Sequence, residues 1–244
     1  MKRKGLLLST VAVLCVSLLT IGCSTNKKVE DQVEEKNKEY VGPIKNSFET
    51  VPESLEDVKD KAEDIIDDVS EQDWASANEE LTKLERNWEN YKVISKEVNL
   101  SKDQIDEFNT DLNNLKKFIQ EKKQYESSLT ANKLTLYATN LYELYNPEVP
   151  VAVYRLEYYA RQVMLTSENN DWEQANVDTQ SAMNNWNKLK PQVDKINPDH
   201  SRIISDTITR LSDAIKKQDS AISREYSVKL LDEVDDLDDD FKRY

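Results

Sequence analysis

From Val51 onward the chain repeats itself, and whatever it folds into must be built twice. Val51-Pro52 recurs as Val149-Pro150. The same offset of 98 relates Val58 to Leu156, Ala62 to Ala160, Asp73-Trp74 to Asp171-Trp172, Ala77-Asn78 to Ala175-Asn176 and Asn87-Trp88 to Asn185-Trp186. Further on the offset is 96, relating Phe108 to Ile204, Leu112 to Ile208, Leu115 to Leu211, Ile119 to Ile215, Lys133-Leu134 to Lys229-Leu230 and Leu141 to Leu237. Matches at core spacing on both sides of a two-residue deletion read as a tandem duplication. The expected fold is all-α, with two tandem four-helix units, 51–147 and 148–244, forming an elongated helical bundle.

Each unit carries four apolar stripes at spacings of three and four residues. In the first they are Leu55, Val58, Ala62 and Ile65; Trp74, Ala77, Leu81, Leu84, Trp88 and Tyr91; Phe108, Leu112, Leu115 and Ile119; and Leu134, Ala138, Leu141 and Tyr145. Such stripes belong to long helices packed in bundles. Pro52 and Pro150 suit the first helical position, where a missing amide costs nothing. Asp73 and Asp171 suit the N-cap, with Gln174 placed to complete a capping box, and Ser101 and Gln104 offer another. Asn146-Pro147, Asn169-Asn170 and Asn197-Pro198 are the expected stops.

Composition removes whole classes of chemistry. The three glycines are Gly5, Gly22 and Gly42, so the repeats contain none. A P-loop, a dinucleotide-binding turn or an EF-hand would need one. A single histidine, His200, cannot supply the paired Glu-x-x-His motifs of di-iron bundles or the imidazoles of a zinc enzyme. It is expected to be an exposed helix-start residue. The net charge of −14 opposes nucleic acid and anionic lipid, so charged partners should be cationic.

The N-terminus reads as an address. Lys2, Arg3 and Lys4 precede an apolar run over residues 6–21, too short for a comfortable membrane span and right for a signal sequence. It ends Leu19-Thr20-Ile21-Gly22-Cys23, which resembles the lipobox of bacterial lipoproteins; Gly22 and Cys23 match its strictest positions, whereas Thr20 stands where that family usually has Leu. The resemblance implies cleavage before Cys23 and acylation of that residue. It implies attachment to the cell membrane through the lipid, with the folded part on the extracytoplasmic face. Residues 1–22 would then be the signal peptide and 23–50 the lipidated cysteine and a polar tether. Cys15 would leave with the signal, so the mature chain would have no disulfide and would rest on its core. The Asp-Trp-x-x-Ala helix with its second Trp also resembles helical envelope lipoproteins of low-GC Gram-positive bacteria, a family that brings no activity with it.

The tryptophan pairs Trp74/Trp88 and Trp172/Trp186 lie fourteen residues apart, two heptads, which places both rings of each pair on the core face. The acidic stretch 232–240 reads as a solvated helix face, because Leu230, Val234, Leu237 and Phe241 thread it at helical spacing. The tyrosines are more informative. Tyr154, Tyr158, Arg161 and Leu165 form a second stripe beside the core face of their helix, and their counterparts in the first unit are Glu56, Asp60, Glu63 and Asp67. Tyr142 likewise corresponds to Asp238, and Tyr137 to Glu233. A face aromatic where the units meet and acidic at the outer ends suits repeat stacking with polar caps. These six residues are therefore the candidate inter-unit junction, or a ligand groove within it.

Three functional classes follow. The first is a lipid-anchored, non-catalytic binding or scaffolding module, its partner an envelope protein or a cationic ligand, with no cofactor and no nucleic acid. The second is an acidic cation-, haem- or metal-binding lipoprotein, although no His-and-Glu signature for a metal is present. The third is a cell-wall-active hydrolase working through paired carboxylates, for which no pair stands out.

Overall fold

A computed structural model describes residues 50–96, 98 and 100–244. Among them are eight α-helices and no strand: α1 (Glu53–Ser70), α2 (Trp74–Ile94), α3 (Lys102–Gln120), α4 (Gln124–Leu141), α5 (Val151–Glu168), α6 (Trp172–Ile196), α7 (Pro198–Lys216) and α8 (Ser220–Arg243). A single 3-10 turn, Tyr142–Leu144, follows α4. The all-α expectation holds. The signal segment, Cys23 and the tether lie outside the described residues.

The helix pattern recurs at the offsets of the sequence. α5 and α6 begin 98 residues after α1 and α2, and α7 and α8 begin 96 after α3 and α4. The two-residue difference falls between the second and third helices of each set. A seven-residue link, 95–101, joins α2 to α3, whereas α6 runs on through Pro191 until only Asn197 separates it from α7.

With no glycine to end helices, four other residues take the left-handed conformation: Gln72, Lys122, Asn170 and Gln218, at φ of 62°, 53°, 59° and 54°. They too obey the repeat offsets. Each closes a Schellman motif. At the first, Asp73 N–H donates to Asp68 C=O at 2.8 Å and Gln72 N–H to Val69 C=O at 3.1 Å; the other three follow the same pattern. Of the expected stops, Asn170 takes this role; Asn197 is instead the N-cap of α7, accepting from His200 N–H.

Caps also sort themselves differently from expectation. Pro52 and Pro150 sit at the N-cap with extended ψ, and it is Pro198 that occupies the first turn of its helix. Asp73, Asp171 and Asp219 accept from the amides of Ser76, Gln174 and Ile222. Ser101 and Gln104 form the reciprocal capping box. Gln174 does not, because its side chain donates to Asp178.

The helices close into two rings, α1–α2–α3–α4 and α5–α6–α7–α8, joined through packing of α4 on α5. Each ring has its own apolar core, and Tyr154 packs against both. In the first core the Trp88 indole stacks on Phe108, centroids 3.8 Å apart, and donates to Asn109 Oδ1 at 2.8 Å. Trp186 repeats the device with Ser205 Oγ at 3.0 Å. Trp74 and Trp172 are only half-buried. They are the first residues of α2 and α6, where the bundle ends and a ring has neighbours on one side only. The described residues of both rings fall in one compact unit, so the rings belong to a single body.

Candidate functional site: an acidic cleft at the junction of the repeats

The junction is built around four charged side chains that are shielded from water and supply one another's partners. Lys59 Nζ lies 2.7 Å from Glu63 and 3.0 Å from Glu157, while Arg161 donates to Glu63 at 3.2 Å and to Glu157 at 2.9 Å. All four side chains are largely buried. Burial works against the charge of Lys59, but Glu157 and Glu63 hold its proton well above the ordinary range. Burial likewise opposes ionisation of Glu157, and Lys59 with Arg161 outweighs it, holding this carboxyl down. Burial and the Glu157 charge push the shared partner Glu63 up.

Lys59 and Glu157 occupy the same repeat position, and so do Glu63 and Arg161. Corresponding residues touching one another define an approximate two-fold axis between the repeats, as at an isologous dimer interface. Charge reversal at both positions turns what would be like-charge collisions into pairs. The helices are therefore not stacked head to tail, and this changes the meaning of the Tyr stripe. A two-fold junction presents the same face of both repeats to each other. The acidic counterparts Glu56, Asp60, Glu63 and Asp67 do not cap an outer end; they belong to the other side of the same junction.

Its two sides differ. On one, α4 packs on α5, and Tyr142 meets Tyr154 edge to face with ring centroids 5.4 Å apart. The counterpart helices α8 and α1 carry Asp238 and Glu56 at those positions, and a cleft of about 550 Å³ opens between them. Carboxylates cannot pack as rings do, so the acidic side stays open. The floor is α5 with Tyr154 and Glu157; the walls are Glu56 and Asp60 of α1 and Asp235, Asp236, Asp238 and Asp239 of α8. The cleft continues along the junction past Asp64, Asp67 and Arg161.

The wall charges are unevenly compensated. Asp238 accepts from the Tyr154 hydroxyl at 3.2 Å and pairs with Lys242, and Asp64 pairs with Lys61. Glu56, Asp60, Asp67 and Asp235 have no ion-pair partner among the described residues. Burial, followed for Glu56 by Asp60 and for Asp235 by Glu157, pushes these carboxyls above their ordinary range. The same burial acts on Asp60 against Lys59 and on Asp67 against Arg161. Such a wall holds negative charge that the protein itself leaves unsatisfied.

The remaining members of the Tyr group separate. Tyr142 is 3% exposed and lines the cleft; Arg161 and Leu165 line its continuation toward α4. Tyr158 is half-buried elsewhere on α5, against Tyr159, with its backbone carbonyl accepting from Asn132 of α4. Tyr137 is not at the junction. It packs edge-on against Phe108 within the first core, because α4 turns that face toward α3.

His200 is a second correction. It is 7% exposed rather than open, because α8 folds back over the start of α7. Its Nδ1 is 2.9 Å from Asp240 and its Nε2 3.1 Å from Glu233. The acidic stretch of α8 is thus not a plain solvated face: one side lines the cleft and another clamps this histidine. Of the Lys59–Glu63–Glu157–Arg161 group, the sequence points to Arg161 and its counterpart Glu63 but not to Lys59 and Glu157, although charge reversal at the same offset of 98 was there to be read.

Residues 46–149, a stretch that contains helices α1–α4, match the family model of a domain of unknown function (DUF4363). No curated protein and no solved structure matches the chain.

Proposed function

We propose that this chain is a lipid-anchored binding module of the extracytoplasmic face of the cell membrane, held by acylated Cys23, which captures a cationic ligand in the cleft between α1 and α8. The observation that carries the binding half of this reading is the cleft itself: unpaired carboxylates on two facing walls above a floor whose own charges are balanced. A concave site of this volume at a junction of repeats is the usual setting for a ligand. Binding is favoured over turnover because Glu157 on the floor and Glu63 beside it are both tied into ion pairs with Lys59 and Arg161. The anchoring half rests on the lipobox resemblance at Cys23. No helix among the described residues is long and apolar enough to cross a membrane.

Two measurements test the halves separately. Labelled palmitate should enter the full chain and not a Cys23→Ala variant, which should leave the membrane fraction; equal labelling of both removes the anchor. A photo-crosslinking residue at position 60 should capture a ligand on intact cells when the same residue at position 213, on the exposed face of α7, does not. Equal capture at both positions removes the cleft.

A further inference from the structure

Tyr142 has a hydroxyl with nothing to hold. The residue is 3% exposed and lines the cleft, yet its hydroxyl makes no hydrogen bond with any described residue. Buried phenols ordinarily find a partner. The groups nearest in electrostatic effect are Asp60 and Glu56 on the α1 wall, which add to burial in raising its proton affinity. A hydroxyl that no described protein group engages therefore opens on the same space as the unpaired carboxylates.

The spacing of those carboxylates selects among cations. Among the described residues, no three His, Cys, Asp or Glu side chains converge closely enough to hold a metal ion. Instead, Glu56 and Asp60 stand one helical turn apart on α1, with Asp235 across the cleft and Asp67 further along it. One turn is about 5.4 Å, close to the separation of amino groups joined by three or four methylenes. The methylene segments would lie along the half-buried Tyr154 ring, which already has the Lys59 ammonium 5.4 Å from its centroid. A volume of about 550 Å³ is large enough to admit such a molecule.

We propose that the α1/α8 cleft binds a linear polyammonium ligand, its charged nitrogens paired with Glu56 and Asp60 on one wall and Asp235 on the other, and one N–H donated to Tyr142 Oη. This rests on the reading of the cleft as the binding site and names the class of ligand it takes. Recognition comes from matched charge spacing together with the phenol, so a single divalent ion satisfies only part of the site.

The test is calorimetric titration of the full chain in detergent, at constant ionic strength, with spermine, with magnesium and with a lysine-rich peptide. Spermine should bind with one-to-one saturation. Asp60→Asn/Asp235→Asn should weaken it by about tenfold or more, as expected for losing charged hydrogen bonds. Tyr142→Phe should weaken it by about three- to tenfold. The charge-matched control Asp199→Asn/Asp213→Asn should leave it unchanged, and circular dichroism melts should show all variants folded. Loss of affinity in the control as large as in the cleft variant overturns the proposal, as does magnesium competing with equal strength. Saturable binding of the peptide alone, dependent on Asp60 and Asp235, overturns the ligand class and keeps the cleft. Binding of neither overturns both readings.

Discussion

Asp178 is a carboxylate placed where water hardly reaches. It is 6% exposed, Gln174 donates to its Oδ1 at 3.0 Å, and its Oδ2 has no partner. Burial pushes it up to about 6, with the Asp171 charge adding and the Gln174 hydrogen bond opposing. Its folded pKa lies above the unfolded value of 3.8, so folding takes up a proton between the two. The carboxylate therefore costs stability at pH above about 6, and that cost disappears as the pH falls toward 4. Asp178→Asn keeps the Gln174 contact and removes the charge. It should raise stability at pH 7.5 by about 1–3 kcal/mol, with the gain shrinking at pH 4.5, as measured by urea denaturation. A gain equal at both pH values would show that ionisation is not the cause. At this scale the sequence was least legible. Periodicity places a residue on a face of its own helix, but not which neighbour that face meets. Tyr137 and His200 were both assigned the right helix and the wrong surroundings for this reason.

Helices, by contrast, were written plainly. Pro52 and Pro150, the Asp73 and Asp171 N-caps and the Ser101–Gln104 box place five of the helix starts to within a residue, and the apolar stripes place the bodies of the helices. The stops were harder to read, because the chain ends helices without glycine. Gln72, Lys122 and Gln218 are long side chains in a left-handed conformation that ordinarily belongs to glycine or asparagine, and nothing in their chemistry announces it. What marks them is position, since each stands between a helix and the residue that precedes the next. The strain they carry is a testable quantity. Lys122→Gly and Gln218→Gly should each raise stability by about 0.5–1 kcal/mol, the left-handed penalty less the extra freedom glycine gains when unfolded. Both would be checked by chemical denaturation, and a destabilised variant would mean the lost side chain mattered more than its backbone. At the other end of α3, Ser101→Ala should cost about 1 kcal/mol through loss of the cap.

At the scale of the molecule, the all-helical architecture was legible and the symmetry was not. The repeat offsets foretold two rings of four helices, but stacked end to end, with acidic faces turned outward. Instead, equivalent faces meet about an approximate two-fold axis, and one asymmetry decides the architecture: tyrosines close the α4/α5 side while carboxylates hold the α1/α8 side open. The cleft is the consequence, and with it the candidate site. A two-fold junction needs charge reversal at its centre, which Lys59/Glu157 and Glu63/Arg161 supply. Breaking one member of such a buried group is costly, about 3–5 kcal/mol, because the partner is left charged and unpaired.

That geometry can be tested by exchanging charges across the axis. Lys59→Glu and Glu157→Lys, made singly and together, form a double-mutant cycle read by urea denaturation of the full chain. If positions 59 and 157 meet at the junction, each single variant should be strongly destabilised, and the double variant should recover most of the loss, with a coupling of at least about 2 kcal/mol. Repeats stacked head to tail would keep the two positions apart. The effects would then add without recovery, and both the two-fold junction and the cleft built on it would be contradicted.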